Sequence, residues 1–135
     1  MQIFVQNRKF KKRISSYLVL LALCLSPTWV FAKTVMVLGD SISAGYGIEP
    51  QQAWVNLLQK RLDQQYPKQH KVVNASVSGE TTSGALARLP KLLQTHKPNV
   101  VLIELGGNDG LRGQPPLMIQ KNLAQLIQQS QKANA

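Results

Sequence analysis

Three short apolar runs punctuate the chain from residue 33 onward. Each is closed by a polar cluster containing glycine and followed by an amphipathic segment. Residues 34–38 (TVMVL) are apolar and β-branched and stop at Gly39. Residues 53–66 place Trp54, Leu57, Leu58 and Leu62 at helical spacing, with Pro67 as the stop. A second strand is expected over 71–75, before Ser76-Val77-Ser78-Gly79. Residues 84–95 repeat the helical pattern through Leu86, Leu89, Leu92 and Leu93, with Pro90 predicting a kink or a break into two turns. Residues 100–105 (VVLIEL) form the most apolar strand and end at Gly106-Gly107-Asn108-Asp109. The last segment, 117–133, sets Leu117, Ile119, Leu123, Leu126 and Ile127 on one helical face.

Continuous apolar strands alternating with amphipathic helices predict an α/β fold with a parallel sheet covered on both faces. Three βα units make a small core, and one flank of so short a sheet is expected to be an open edge. No internal repeat or low-complexity tract interrupts the pattern. The glutamines after Gln120 are the polar side of the last helix.

The first 32 residues follow a different grammar. Arg8, Lys9, Lys11, Lys12 and Arg13 precede an apolar run over 17–25, then Pro27 and Val30-Phe31-Ala32. This predicts a secretory signal peptide over 1–32, cut after Ala32, and a single domain over 33–135. The run 14–32 also approaches the roughly 20 residues that span a bilayer, but Pro27 and the cleavage pattern favour the signal. No stable membrane anchor is then expected after cleavage, and the product would be periplasmic or secreted. The segment holds Cys24, the only cysteine, so the exported domain would rely on its core and not on disulfides. It also holds five of the sixteen basic residues and none of the six acidic ones, which lowers the net charge from +10 to +5. The remaining cations are scattered without aromatic interleaving, which argues against a nucleic-acid partner.

Ligands of open α/β sheets bind beyond the carboxyl ends of the strands. The three clusters there are Gly39-Asp40-Ser41, Ser78-Gly79-Glu80-Thr81 and Gly106-Gly107-Asn108-Asp109. Ser41 can present a hydroxyl nucleophile, while its own N–H, the Gly79 N–H and the Asn108 amide can converge on an oxyanion. The residues taken singly leave blander roles open: Ser41 as a helix N-cap, Gly79 as a turn glycine, Asn108 as a cap for the segment after it. Their occurrence on successive strand exits is what raises the catalytic reading.

The blocks GDSISAGYG, NASVSGETT and LIELGGNDGLRG, with ALARLP at 85–90, resemble the signature blocks of the SGNH (GDSL-type) hydrolases. The resemblance is strongest to their periplasmic thioesterase, lysophospholipase and arylesterase branch in Gram-negative bacteria. It implies a flavodoxin-like three-layer α/β/α sandwich, of which this chain carries the first three βα units. It further implies Ser41 as nucleophile, with Gly79, Asn108 and the Ser41 N–H as the oxyanion hole. Asp40 is implied to shape the nucleophile turn and not to act as base. The loop expected over 110–116, with Gly110, Leu111, Arg112 and Gly113, matches a segment that borders the family's acyl groove. The implied substrates are small acyl esters, acyl thioesters or lysophospholipids, and no cofactor is implied.

One block is missing. The family's Asp-x-x-His, which supplies the base and its orienting carboxylate, occurs nowhere in these 135 residues. His70 and His96 each precede a strand and are expected as exposed loop residues at the amino edge of the sheet. A five-residue strand puts that edge about 17 Å from the carboxyl edge, beyond reach of Ser41. No histidine or carboxylate pair has metal-ligand spacing. The expectation is therefore the nucleophile half of an ester or thioester hydrolase, truncated before its base and, for lack of the catalytic histidine, with little or no activity of its own. The alternative is an acyl- or lipid-binding remnant that kept the groove and lost the chemistry.

Overall fold

The computed structural model describes residues 32–135, so the expected signal segment falls, but for Ala32, outside them. The elements are β1 (Lys33–Gly39), α1 (Ser41–Ala44), a 3-10 turn (Pro50–Gln52), α2 (Trp54–Gln65), β2 (His70–Asn74), α3 (Thr82–His96), β3 (Val100–Glu104), α4 (Gly107–Leu111) and α5 (Pro116–Lys132). The three strands form one parallel sheet in the order β2-β1-β3. Chain order and spatial order thus part company after the first strand, and β1 is flanked on both sides.

That central position explains its burial. Met36, Val37 and Leu38 are wholly buried, whereas β3 leaves Val100 and Leu102 exposed. Right-handed crossovers running in opposite lateral directions send α2 and α3 to opposite faces of the sheet. One face carries the main core: Met36 and Leu38 pack with Ala85 and Leu89 of α3 and Leu126 of α5, joined by Val73, Val101, Ile103 and Leu123. The other carries α2, which lies against β2. The expected cover on both faces is therefore complete over β1 and incomplete over β3. Truncating a fully buried leucine such as Leu89 is worth about 2–5 kcal/mol by its lost transfer energy and the cavity left behind.

Three local expectations change. Of the kink or break expected at Pro90, the break does not occur: one helix runs from Thr82 to His96 with Pro90 inside it. Pro90 is exposed while Ala85 and Leu89 are buried, so the tertiary contacts of the inner face outweigh the hydrogen bond that proline removes. Helix α2 buries Val55, and Trp54 and Leu57 face outward. Helix α5 buries Leu126 as expected but turns Leu117 and Ile127 outward and buries Asn122 and Ser130. Its inner stripe is thus partly polar, which the hydropathy pattern did not reveal.

Candidate functional site

The strand ends fix the site. Along β1 and β3 the register pairs Gly39 with Glu104. On the β2 side, pairing continues past the strand, with Val77 N–H donating to the Gly39 carbonyl at 3.0 Å. Ser41 and Gly79 each lie two residues beyond that level, and Asn108 lies four beyond Glu104. The three loops therefore open on the same edge of the sheet.

At the first loop the chain turns directly from β1 into α1. Gly39 is required by close approach: a Cβ there would stand 2.6 Å from the Ser43 Cβ. Asp40, only 4% exposed, caps α1, its Oδ1 accepting from Ile42 N–H at 3.0 Å. Ser41 is the first helical residue and not the cap, so the capping role open to it on sequence alone is taken by its neighbour. The short helix ends at Gly45 in the left-handed region. From below, Ser43 Oγ donates to Glu104 Oε2 and Asn74 Nδ2 donates to the Ser43 carbonyl, both at 2.8 Å. These bonds from β3 and β2 hold the turn that carries Ser41.

Gly79 occupies a turn closed by Glu80 N–H to the Val77 carbonyl at 3.1 Å. Its φ of 79° lies in the left-handed region, where a side chain is strained. Its own N–H is not part of the closing bond. Arg112 Nη2 donates to the Gly79 carbonyl at 3.0 Å, which fixes the following peptide plane. The turn role of Gly79 is therefore real, and its closing bond does not use the Gly79 N–H.

Asn108 is the second residue of α4, whose N-cap is Gly106. Its Nδ2 donates to Asp40 Oδ2 at 3.1 Å. A primary amide nitrogen carries two hydrogens, so the bond to Asp40 uses one and leaves the other. Asp40 thus serves as cap and amide clamp at once. Of the groove candidates, Gly110 and Leu111 belong to α4 and not to a loop, and Leu111 is 87% exposed. Arg112 closes the helix, and Gly113 follows with φ 67°.

The histidines are distant. His70 opens β2 opposite Lys33, the first residue of β1. Six strand steps separate that level from Gly39, roughly 20 Å at the usual rise. His96 ends α3, three residues before the Asn99 N–H that donates to the Thr34 carbonyl at 2.8 Å, so it too lies at the amino edge. Both histidines are half-buried rather than exposed, and His70 packs edge-on against Tyr66 with ring centroids 5.3 Å apart. Among the described residues, no group of three or more histidines, cysteines or carboxylates is placed to hold a metal ion.

Sequence reasoning missed the polar ties beneath the site. Ser43, Asn74 and Glu104 brace α1, and Thr82, Asp109 and Asn122 form a buried cluster between α3, α4 and α5. Asn122 had a readable signal, a lone amide within an apolar helical stripe. Thr82 and Glu104 had none.

Residues 37–135 match the model of the GDSL-like Lipase/Acylhydrolase family. Esterase TesA of Pseudomonas aeruginosa is 53% identical over 116 residues, covering 85% of this chain and 57% of that protein. Thioesterase 1/protease 1/lysophospholipase L1 of Escherichia coli is 48% identical over 104 residues, covering 77% of this chain and 48% of that one. The crystal structure of the psychrotrophic esterase EstA from Pseudoalteromonas, inhibited by monoethylphosphonate, superposes with a TM-score of 0.71 at 50% identity, covering 76% of this chain and 56% of that chain. The chain spans about half the length of the relatives it matches.

Proposed function

The chain belongs to the GDSL-like lipase and acylhydrolase family, and on that premise we propose that Ser41 is the nucleophile of an exported esterase or thioesterase. The observation that carries the reading is the Asn108–Asp40 bond, which ties a side-chain donor to the nucleophile turn and leaves one N–H to spare. In the proposed reaction Ser41 Oγ attacks the acyl carbonyl as its proton passes to water or an added base, which returns it to the leaving group, and the oxyanion is received by the N–H groups of Ser41, Gly79 and Asn108. Each such donor contributes about 3–4 kcal/mol to a tetrahedral intermediate when well placed. Collapse expels the alcohol or thiol and leaves an acyl-serine, which water then hydrolyses. Small acyl esters, thioesters and lysophospholipids are the proposed substrates. The names of the relatives, esterase and thioesterase/lysophospholipase, support that range.

The base is the weak point. Asp40 is engaged by Ile42 and Asn108, and neither histidine reaches Ser41. We therefore propose slow turnover by these 135 residues alone, sustained by the oxyanion donors. The N-terminal 32 residues are proposed to direct export and to be removed. The test is covalent: an ethyl fluorophosphonate probe, with imidazole supplied as an external base, should place one phosphonyl group on the peptide containing Ser41. Fatty-acid binding without any adduct would instead identify a binding remnant.

A further inference from the structure

Asp109 lies between two of the proposed donor loops and has no part in the reaction just described. It is 2% exposed, and among the described residues its carboxylate meets no cationic side chain. A buried carboxylate without a counter-ion persists only when hydrogen bonds replace its hydration. Here Thr82 provides them all. The Thr82 N–H is shared between Oδ2 at 2.9 Å and Oδ1 at 3.2 Å, and the Thr82 hydroxyl donates to Oδ1. That hydroxyl in turn accepts from Asn122 Nδ2 at 2.9 Å. Every proton in the cluster has one direction.

The position of Thr82 gives the cluster its consequence. It is the first residue of α3, three residues after Gly79, and Asp109 is the residue after Asn108. Adjacent residues of α4 therefore reach in different directions, Asn108 to Asp40 and Asp109 to Thr82. Any rotation of α4 that withdraws the Asn108 amide also strains the bonds to Thr82. From this we infer that Asp109 is a positioning residue, locking the Asn108 amide and the Gly79 turn into one rigid donor set through Thr82 and Asn122. Asparagine would serve poorly in its place: it keeps one oxygen for Thr82 and turns an NH₂ toward a donor. The inference rests on the Ser41 reading and goes beyond it, because it concerns a residue that touches no substrate.

The test compares rates of Ser41 labelling by ethyl fluorophosphonate with imidazole present, at a temperature where circular dichroism shows each variant folded. Asp109→Asn and Thr82→Val are expected to label about tenfold more slowly or worse, since each displaces oxyanion donors. Thr82→Ser, which keeps both donors, should label within about twofold of the parent. In the phosphonylated variants the Gly79 amide and Asn108 side-chain proton resonances should shift together, which a loss of stability alone would not produce. Should both weakened variants fail to fold, the parent chain decides. Phosphonylation of Ser41 must then move the Thr82 N–H and Asn122 side-chain resonances. Unchanged labelling in folded Asp109→Asn, or unmoved Thr82 and Asn122 resonances in the parent, would overturn the inference while leaving Ser41 as nucleophile. No adduct at all in the parent would remove the Ser41 reading and the inference with it.

Discussion

The two ends of the sheet are built from the same three strands and are held in different ways. At the amino end, backbone bonds from Lys33 N–H to the Gln69 carbonyl and from Asn99 N–H to the Thr34 carbonyl are joined by side chains that are not fully buried: Asn99 Oδ1 accepts from Thr34 N–H, and Gln59 bridges Val72 N–H and the His70 carbonyl. At the carboxyl end, backbone bonds such as Val77 N–H to the Gly39 carbonyl are supplemented by ties from buried side chains. Asp40, Ser43, Thr82 and Asp109 all lie inside, and each bonds across to another loop, strand or helix. Buried polar groups contribute little net stability and are costly when a partner is lost. Their concentration at one end fits the proposed site, which needs fixed geometry more than added stability.

Substitutions can break that contrast in graded steps. The largest effect is expected from Ser41→Ala, which should eliminate phosphonyl labelling and imidazole-assisted hydrolysis of p-nitrophenyl acetate while leaving the circular dichroism spectrum intact. Asn108→Ala should follow, slowing labelling by about 10²–10³, the usual effect of removing one oxyanion donor. Gly39→Ala acts on the frame beneath, since its Cβ collides with Ser43. A loss of about 1–3 kcal/mol is expected from chemical denaturation, as for other overpacked sites. His96→Gln at the opposite end should change stability by about 0.5 kcal/mol or less and leave labelling unaltered. Slower labelling in His96→Gln would mean that the two ends are coupled and would remove the contrast.

The strands, the three glycine-bearing turns and the absence of Asp-x-x-His were legible because each is written in local residue types. Helical register was less so. The spacing of Leu117, Ile119, Leu123, Leu126 and Ile127 implied one apolar face, yet Asn122 and Ser130 are buried while Leu117 and Ile127 are not. Burial in α5 is decided by what it meets on α3, and Asn122 meets Thr82, 40 residues away in sequence. Pro90 shows the same limit from the other side: the local signal to break is overridden by packing at Ala85 and Leu89. Within the proposed site, the residues facing outward carried recognisable motifs. The bonds that brace them link residues 27 to 68 positions apart and have no local signature.

The clamp between Asn108 and Asp40 also sets how this surface would age. Asparagine loses ammonia slowly in solution and becomes aspartate. At position 108 that change replaces the donor facing Asp40 Oδ2, now 3.1 Å away, with a second acceptor. Two carboxylates at such a separation repel unless one takes up a proton. The product would differ from the parent by about one mass unit and would have neither the clamp nor the spare N–H. On the proposed reading of Ser41 and Asn108, a stored sample would lose its capacity for serine labelling while its mass stayed nearly unchanged.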